Sequence, residues 1–514
     1  MRNHLLSLLV ALLAVTGSLP AAAQEAYAVL TSNKTLTFYY DNLRATRQNY
    51  EHIYDMPNNE DPAWAGKDSN HPQENVMHVV FDASFSGYRP TSTHKWFAYC
   101  VYLQDIEGIR NLNTEKVTDM AYMFCNCKIL TSLDVSNFNT QNVSNMSNMF
   151  VGCRALTSLD VSNFNTQNVT SMGGMFRNCD ALTSLDLSNF NTQNVTDMNS
   201  MFFFCKALRS LDVSNFNTQN VTRMSCMFYG CQSLTSLDVS NFNTAKVTDM
   251  EFMFFGCWAL TSLDLSNFNT QNVTNMRDMF DDCEALTSLD LSNLNTQNVT
   301  NMSHMFYGCK ALTSLNVSNF NTQNVIDMFS MFSGCKALTS LGLSNFNTEK
   351  VTDMKCMFYG CEALTSLDVS NFNTQNVTDM SDMFCSCKAL TSLDVSNFNT
   401  QNVINMSWMF SGCESLTSIF CNKDWNVGHN GSGYNMFYGC RHLKGTNTWF
   451  NANKIGIEMA NPTTGYFTSK TAGIDNVKTA DRAGDGKAYD LSGSRVNERY
   501  KGIVIKNGKK YIQK

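Results

Sequence analysis

Proline is scarce in this sequence: there are six in 514 residues, and none between Pro90 and Pro462. Every backbone N–H in that long stretch is therefore available, and no ladder hydrogen bond has to be missing from it. Charged residues are also few, at 16%, where globular domains carry roughly 25%. The formal net charge is −7, which makes nucleic acid a poor partner. Beyond the N-terminal segment no apolar run is long enough to supply a transmembrane segment. The eight histidines are scattered, with His52, His71, His78 and His94 near the N-terminal end, and none recurs in register with an acid or a nucleophile. GxSxG, HExxH, P-loop and dinucleotide fingerprints are all missing. Neither catalysis nor a bound cofactor is expected. The Cys125/Cys127 and Cys385/Cys387 pairs lack CxxC spacing and have no second half, so no metal site is expected either.

What the sequence does have is one 26-residue unit, stated most cleanly from Cys361 to Ser386 as CEALTSLDVSNFNTQNVTDMSDMFCS. Cysteines at 127, 153, 179, 205, 231, 257, 283, 309, 335, 361, 387 and 413 keep the period, and Cys100 and Cys440 lie 27 residues beyond each end. A fixed period of this size implies a solenoid. Within the unit, Leu364, Leu367, Val369 and Phe372 alternate at their centre, which predicts a short strand with Leu367 and Val369 inward and Asp368 outward. Val377, Met380, Met383, Phe384 and Cys387 recur at three and four, which predicts a short helix or helical turn. The residue before the ladder cysteine is Gly, Asn or Asp in 11 of 14 copies, types that tolerate the left-handed backbone ending a helix. The expected fold is an α/β repeat solenoid with parallel strands on one side and short helical turns on the other. At a strand spacing of ~4.8 Å, a dozen units span on the order of 60 Å.

The flanks divide around this array. Residues 1–23 read as a signal peptide, with Arg2, an apolar run from Leu5 to Val15, and cleavage between Ala23 and Gln24. Residues 24–94 form an N-terminal β cap, with strand-like runs at Tyr27 to Leu30, Thr35 to Tyr40 and Val76 to Phe81. The array runs over 95–446, beginning with a degenerate rung at Trp96, Phe97, Tyr99 and Cys100, and 447–470 closes it as a C-terminal cap. A polar linker at 471–487 leads to a β tail at 488–514, with runs at Ile503 to Ile505 and Tyr511 to Ile512 around Asn507-Gly508 and a net charge of +5.

The recurring NFNTQNV…M..MF.GC…LTSLD unit, the entry Tyr88 to Thr93 (YRPTST) and the closing Asn461 to Phe467 (NPTTGYF) resemble the BspA-like leucine-rich-repeat surface proteins of bacteria, over about 27–470. The tail, YDLSGSRVNERYKGIVIKNGKKYIQK, resembles C-terminal modules of exported Bacteroidetes proteins, some of which act as sorting signals. The first resemblance implies a leucine-rich-repeat-like fold and adhesion or host-protein binding, although Phe372 and its copies stand where a conventional repeat carries Asn. The second implies an address for the cell surface or outer membrane, or for release outside the cell.

Two sets of residues are candidates for binding. On the strand side Asp134, Asp160, Asp186, Asp212, Asp238, Asp264 and Asp290 form one column, interrupted by Asn316 and Gly342 and resumed at Asp368 and Asp394. Carboxylates ~5 Å apart in water repel by roughly 1 kcal/mol per pair, less than each rung gains at ~1.5–3 kcal/mol per buried apolar side chain. The column is thus either a solvated face or a strip for a cation or a basic partner. On the other side the copies diverge at Gly173-Gly174, Glu251-Phe252, Arg277-Asp278, Phe329-Ser330 and Ser407-Trp408, with aromatics at Phe203, Tyr229, Tyr307 and Tyr359. Phe203, Tyr229, Phe252, Tyr307, Phe329, Tyr359 and Trp408 are candidate anchors, with drift on an unused face as the alternative. The ladder cysteines are expected to be buried free thiols, each too far from the next for a disulfide. Asn168, Val169 and Thr170 match a glycosylation sequon, but it is copied with the repeat. The expected function is a non-enzymatic surface adhesin or binding platform with a protein partner. A structural spacer and a glycan-binding module are the alternatives.

Overall fold

A computed structural model describes residues 23–470, except 59 and 428–430, and short backbone strands between 488 and 513. The signal segment up to residue 22 and the linker at 471–487 lie outside the described residues. The chain divides into two units, Met1–Thr468 and Ser469–Lys514.

The first unit opens with β1 (Glu25–Leu30), β2 (Thr35–Asp41), β3 (His52–Asp55), β4 (His78–Phe81) and β5 (Asp105–Glu107), in the order β3-β1-β2-β4-β5. β1 is antiparallel to β2 and β3, whereas β2, β4 and β5 run parallel. The sheet therefore changes from hairpin pairing to the parallel pairing of the array within one element. Phe38 joins them: its ring packs against Trp64, Phe81, Phe85, Trp96 and Phe97 at 4.7–6.0 Å. The Trp64 indole N–H donates to the Trp96 carbonyl at 2.7 Å. β3 and β5 are strands that the pattern did not reveal, because each is short and carries charged or polar residues at both ends.

Each repeat then adds one rung. In the rung from Thr114 to Phe138, Val117, Met120, Met123, Phe124, Cys127, Leu130, Val135 and Phe138 are all buried. The half read as a strand is one in only some rungs, as where β6 (Ser210–Leu211) pairs in parallel with β7 (Ser236–Leu237); elsewhere, as at 364–369, buried and exposed side chains alternate without strand pairing. The triplet β8 (Ser392–Asp394), β9 (Ser418–Phe420) and β10 (Phe467–Thr468) repeats that pairing at the C-terminal end.

The opposite side is not helical, and among the described residues there is no α-helix. The N–H groups of Met120, Tyr122, Phe124 and Asn126 donate to the carbonyls of Asn145, Ser147, Met149 and Val151 in the next rung, at 2.6–3.0 Å. Those of Met123, Cys125 and Cys127 donate three residues back, at 3.1–3.3 Å. Alternate donors thus make a parallel ladder while the others close consecutive turns. This requires left-handed backbone twice per rung, at Tyr122 (φ 57°) and Asn126 (φ 58°), a conformation that costs a non-glycine residue roughly 1–2 kcal/mol. The left-handed position expected before each ladder cysteine is present, including at Tyr99, Phe204 and Ser386, which are none of Gly, Asn or Asp. Two back-to-back turns bury residues at spacings of three and four, which is why the pattern mimicked a helix.

Three features lock the rungs. Phe124, Phe150, Phe176 and their copies to Phe437 stack with ring centroids 5.6–5.9 Å apart. Buried threonines bridge neighbours: the Thr192 hydroxyl donates to the Asn217 carbonyl at 3.0 Å and accepts its N–H at 2.7 Å. Asparagine carboxamides do the same, Asn371 donating to the carbonyls of Leu343 and Phe346 at 2.9 and 2.6 Å. Asn371 thus closes the turn from one residue before Phe372, whose ring is buried.

All nineteen cysteines are free thiols. The expected reason, distance, is wrong, since successive rungs sit closer than that argument assumed. From Cys127 to Cys440 each ladder S–H is instead turned onto a carbonyl, Cys153 donating to Phe124 and Cys205 to Phe176 at 3.2 Å. The Asn168 carboxamide of the sequon is likewise committed, donating to the Gln141 carbonyl at 2.7 Å.

The second unit contains β11 (Ala488–Tyr489), β12 (Arg495–Val496), β13 (Gly502–Lys506) and β14 (Lys509–Gln513), all antiparallel, in the order β12-β11-β13-β14. The strand runs read from the sequence fall in β13 and β14. The Asn507-Gly508 turn between them lies outside the described residues.

Candidate functional site

Asp134, Asp160, Asp186, Asp212, Asp238, Asp264 and Asp290 are exposed and stacked as expected. Each also closes a turn of its own rung, because its Oδ1 accepts the N–H of the serine two residues on, at 2.8–3.0 Å. The turn so closed ends the segment of alternating burial that precedes it. Asn316 interrupts the charge but accepts the Ser318 N–H at 3.1 Å, so the turn survives. Hydrogen bonds from that serine hold Asp134, Asp160, Asp212 and Asp238 below the usual carboxylate range, the hydroxyl contributing most. For Asp186 and Asp290 the backbone bond is the larger contribution. Asp134 also pairs with Arg110 at 3.2 Å. Asp212, Asp238 and Asp264 line a trough of about 550 Å³ with Ser210, Ser236 and Ser262. The column is thus maintained by turn geometry, whatever else it does. Among the described residues no group of three or more His, Cys, Asp or Glu side chains is placed to hold a metal ion.

The turn side gathers six of the seven aromatic candidates into three knots and leaves Tyr359 outside them. In the first, Tyr229 stacks between Phe203 and Phe255, at 4.4 Å to each, with interplanar angles of 13° and 10°. Phe252 meets Tyr229 and Phe255 edge-on at 5.8 and 5.7 Å. The Arg177 guanidinium covers the Phe203 ring at 4.1 Å, and Arg277 lies over Phe252 at 5.5 Å. In the second, His304 meets Phe329 at 4.6 Å and Tyr307 at 5.5 Å. In the third, Trp408 meets Tyr434 and Tyr438 at 5.8 and 5.9 Å. Tyr307 and Tyr359 are 38% and 43% exposed. Phe204, Phe255, Trp258, Tyr434 and Tyr438 belong to this surface and were missed. Phe255 occupies the same repeat position as Phe203 and Tyr229, so aligning the copies would have found it.

The second left-handed position of each rung lies on this same side. It is held by Asn148, Ser200, Cys226, Phe252, Asp278, His304 and Trp408, all at φ between 54° and 62°. The backbone is thus fixed while the side chain varies freely.

Between the first two knots sits an acidic pair that the sequence reading also missed. Asp278 and Asp281 are 3% and 6% exposed. Arg277 donates to Asp278 at 2.7 Å, and His304 lies 3.4 Å from it. Burial, then the neighbouring Asp278 and Asp282 carboxylates, push Asp281 up to about 9. Burial also pushes the His304 imidazole down, against the pull of Asp278. Such a carboxyl stays protonated at neutral pH.

Taken together, the fold and its two faces define a stacked-repeat protein: one side is built from copies and the other carries individual side chains on the same backbone. The chain belongs to the family described as "Mycoplasma protein of unknown function, DUF285", whose profile matches residues 91–211, 204–290, 231–341, 287–368 and 338–450. No curated protein matches it. Among solved structures it is similar to a chain of the Drosophila Toll–Spatzle complex, at 14% identity and a TM-score of 0.22, over 68% of this chain and 49% of that one. It thus spans about half the length of that chain. It is also similar to the functional domain of InlJ from Listeria monocytogenes, which includes a cysteine ladder, at 20% identity and a TM-score of 0.18, over 61% of this chain and 68% of that one. Neither score marks a shared overall fold. Among the described residues no helix is long and apolar enough to cross a membrane.

Proposed function

We propose that the chain is a non-enzymatic, exported binding protein displayed at the cell surface, a leucine-rich-repeat-like solenoid of the BspA-like kind. Its turn side is the platform for a protein partner on a host cell, in a matrix or on another bacterium. One observation carries this reading: in the same rung the strand-side aspartate is tied to the fold, whereas the turn-side position varies from Ser200 to Phe252 to Trp408 on unchanged backbone. Anchors can be written there without rebuilding the scaffold. A glycan is disfavoured because Phe203, Tyr229 and Phe255 stack on one another, leaving ring edges rather than faces to a ligand.

Export is assigned to residues 1–23, and the 488–514 tail is read as a Bacteroidetes-type sorting module. Full-length protein tested against a panel of matrix proteins and host cells should bind a subset saturably. A chain inert across the panel overturns the adhesin reading and favours the spacer, for which the backbone bonds that recur from rung to rung are the supporting feature. In the native host, deletion of 488–514 should leave the array folded but off the surface; unchanged display removes the sorting role.

A further inference from the structure

One rung breaks the turn side. Where its neighbours carry Ser147-Asn148 and Asn199-Ser200, this rung has Gly173-Gly174. Without either side chain it leaves a notch of about 290 Å³, walled by Tyr122, Asn148, Arg177, Asp197, Asn199 and Arg223. Gly174 has φ +63°, and a Cβ there would run into the Asn148 Oδ1. A Cβ on Gly173 would lie 3.3 Å from the Asp197 carboxylate. Any other residue at either position would begin to fill this space.

The charge inside the notch is unbalanced. Arg223 pairs with Asp197 at 3.1 Å. Arg177 is half-buried and is in no ion pair among the described residues, its guanidinium resting on the Phe203 ring. A guanidinium whose carbon sits over a ring keeps N–H donors for a planar carboxylate. Phe203 is also the first member of the row that continues through Tyr229 to Phe255. A cationic pocket therefore opens directly onto an apolar edge.

We infer that the notch and this row form one docking groove for an extended segment of a partner protein carrying a carboxylate beside apolar side chains. The acid sits against Arg177 and the Asn148 carboxamide, and the apolar residues lie along the edges of Phe203, Tyr229 and Phe255. This rests on the turn side being the protein-binding face, and adds where the partner docks and what it must carry. A sugar acid would satisfy Arg177 but leave the aromatic row without a counterpart.

The test pans a phage-displayed random-peptide library on the full-length chain and on its Arg177→Gln and Gly173→Asn variants. Gly173→Asn places in the notch the residue that the next rung carries at 199, so the rung retains a fold, and thermal melts check this for both variants. Enriched peptides should share an Asp or Glu beside aromatic or aliphatic residues. Each variant should bind them about tenfold more weakly, the loss of one charge-assisted pair, and replacing the peptide acid by its amide should reproduce that loss. Enrichment without a shared acid, or binding unchanged in either variant, overturns the inference. Glucuronate competing at concentrations comparable to the peptide assigns the notch to a sugar acid and overturns it as well. If the notch alone is wrong, wild type and Arg177→Gln bind the host panel alike; if the adhesin reading is wrong, neither binds.

Discussion

Thr192 allows the polar ladder to be separated from the apolar one. It is 1% exposed, and its hydroxyl both donates to and accepts from the backbone of Asn217 in the next rung. Thr192→Val keeps the shape of the side chain and removes both bonds, leaving the Asn217 N–H and C=O without those partners at a part-buried contact. An orphaned buried polar group costs about 1–3 kcal/mol, so two together should cost about 3 kcal/mol. Thr192→Ser keeps both bonds and loses a methyl group, at about 1 kcal/mol. Valine, closer to threonine in size, should therefore be worse than serine by about 2 kcal/mol. Urea unfolding gives the order of the three proteins, but a repeat array can open in segments. The sharper measurement is hydrogen exchange at the Asn217 amide, which a difference of that size should accelerate on the order of thirtyfold in the valine variant relative to serine. Valine as stable as serine, or an Asn217 amide equally protected in both, would refute the assignment of rung cohesion to the threonine column.

Asp281 should make stability depend on pH. Its folded value of about 9 lies above that of an unfolded carboxyl, so the stability it contributes is complete below about pH 4 and is lost as pH rises through 9, at up to about 1.4 kcal/mol per unit. Asp281→Asn, which mimics the protonated acid, should flatten that slope and stabilise the array by a few kcal/mol near pH 8; denaturation at pH 5 and pH 8 compares the two proteins, and equal slopes would exclude Asp281 as the source. The ladder thiols, pushed up to about 12 by burial at Cys179, Cys231 and Cys361, should resist alkylation in the native protein at neutral pH and label fully in unreduced denaturant. Mass spectrometry finding rung-to-rung disulfides would contradict the thiol–carbonyl arrangement.

How much of this was legible depends on which half of the rung is considered. Leu367 and Val369 are buried on either side of exposed Asp368, so the alternation of burial survives into the structure, although 364–369 forms no strand and only some rungs, such as Ser392–Asp394, do. Met380, Met383, Phe384 and Cys387 fooled the eye because burial at three and four is common to a helix and to two consecutive turns. What distinguishes them is backbone hand. Ser386 and its Gly, Asn and Asp copies announced one left-handed residue per rung, but the other falls at Asp382, whose copies include Phe252 and Trp408, types that do not advertise a positive φ. There the inter-rung hydrogen bonds outweigh local preference, and no single-residue signal records it. Of the candidate site, the exposed aromatics could be read because they differ between copies. The Asp278–Asp281 pair could not, since its meaning comes from burial, which the linear order does not state.

The alternating donors of the turn side have an evolutionary consequence. The inter-rung bonds there run from a given repeat position to a fixed position of the next copy, as from Met120, Tyr122 and Phe124 to Asn145, Ser147 and Met149, so none depends on how many copies stand on either side. Excising or duplicating one whole 26-residue unit by recombination between near-identical stretches leaves each remaining junction chemically as it was. What changes is the order in which Arg177, the Phe203–Phe255 row, the acidic pair and the Trp408 knot follow one another along the face. The surface can thus be reshuffled as blocks, with junctions between copies rather than substitutions in the scaffold as the route by which a lineage alters what this face presents.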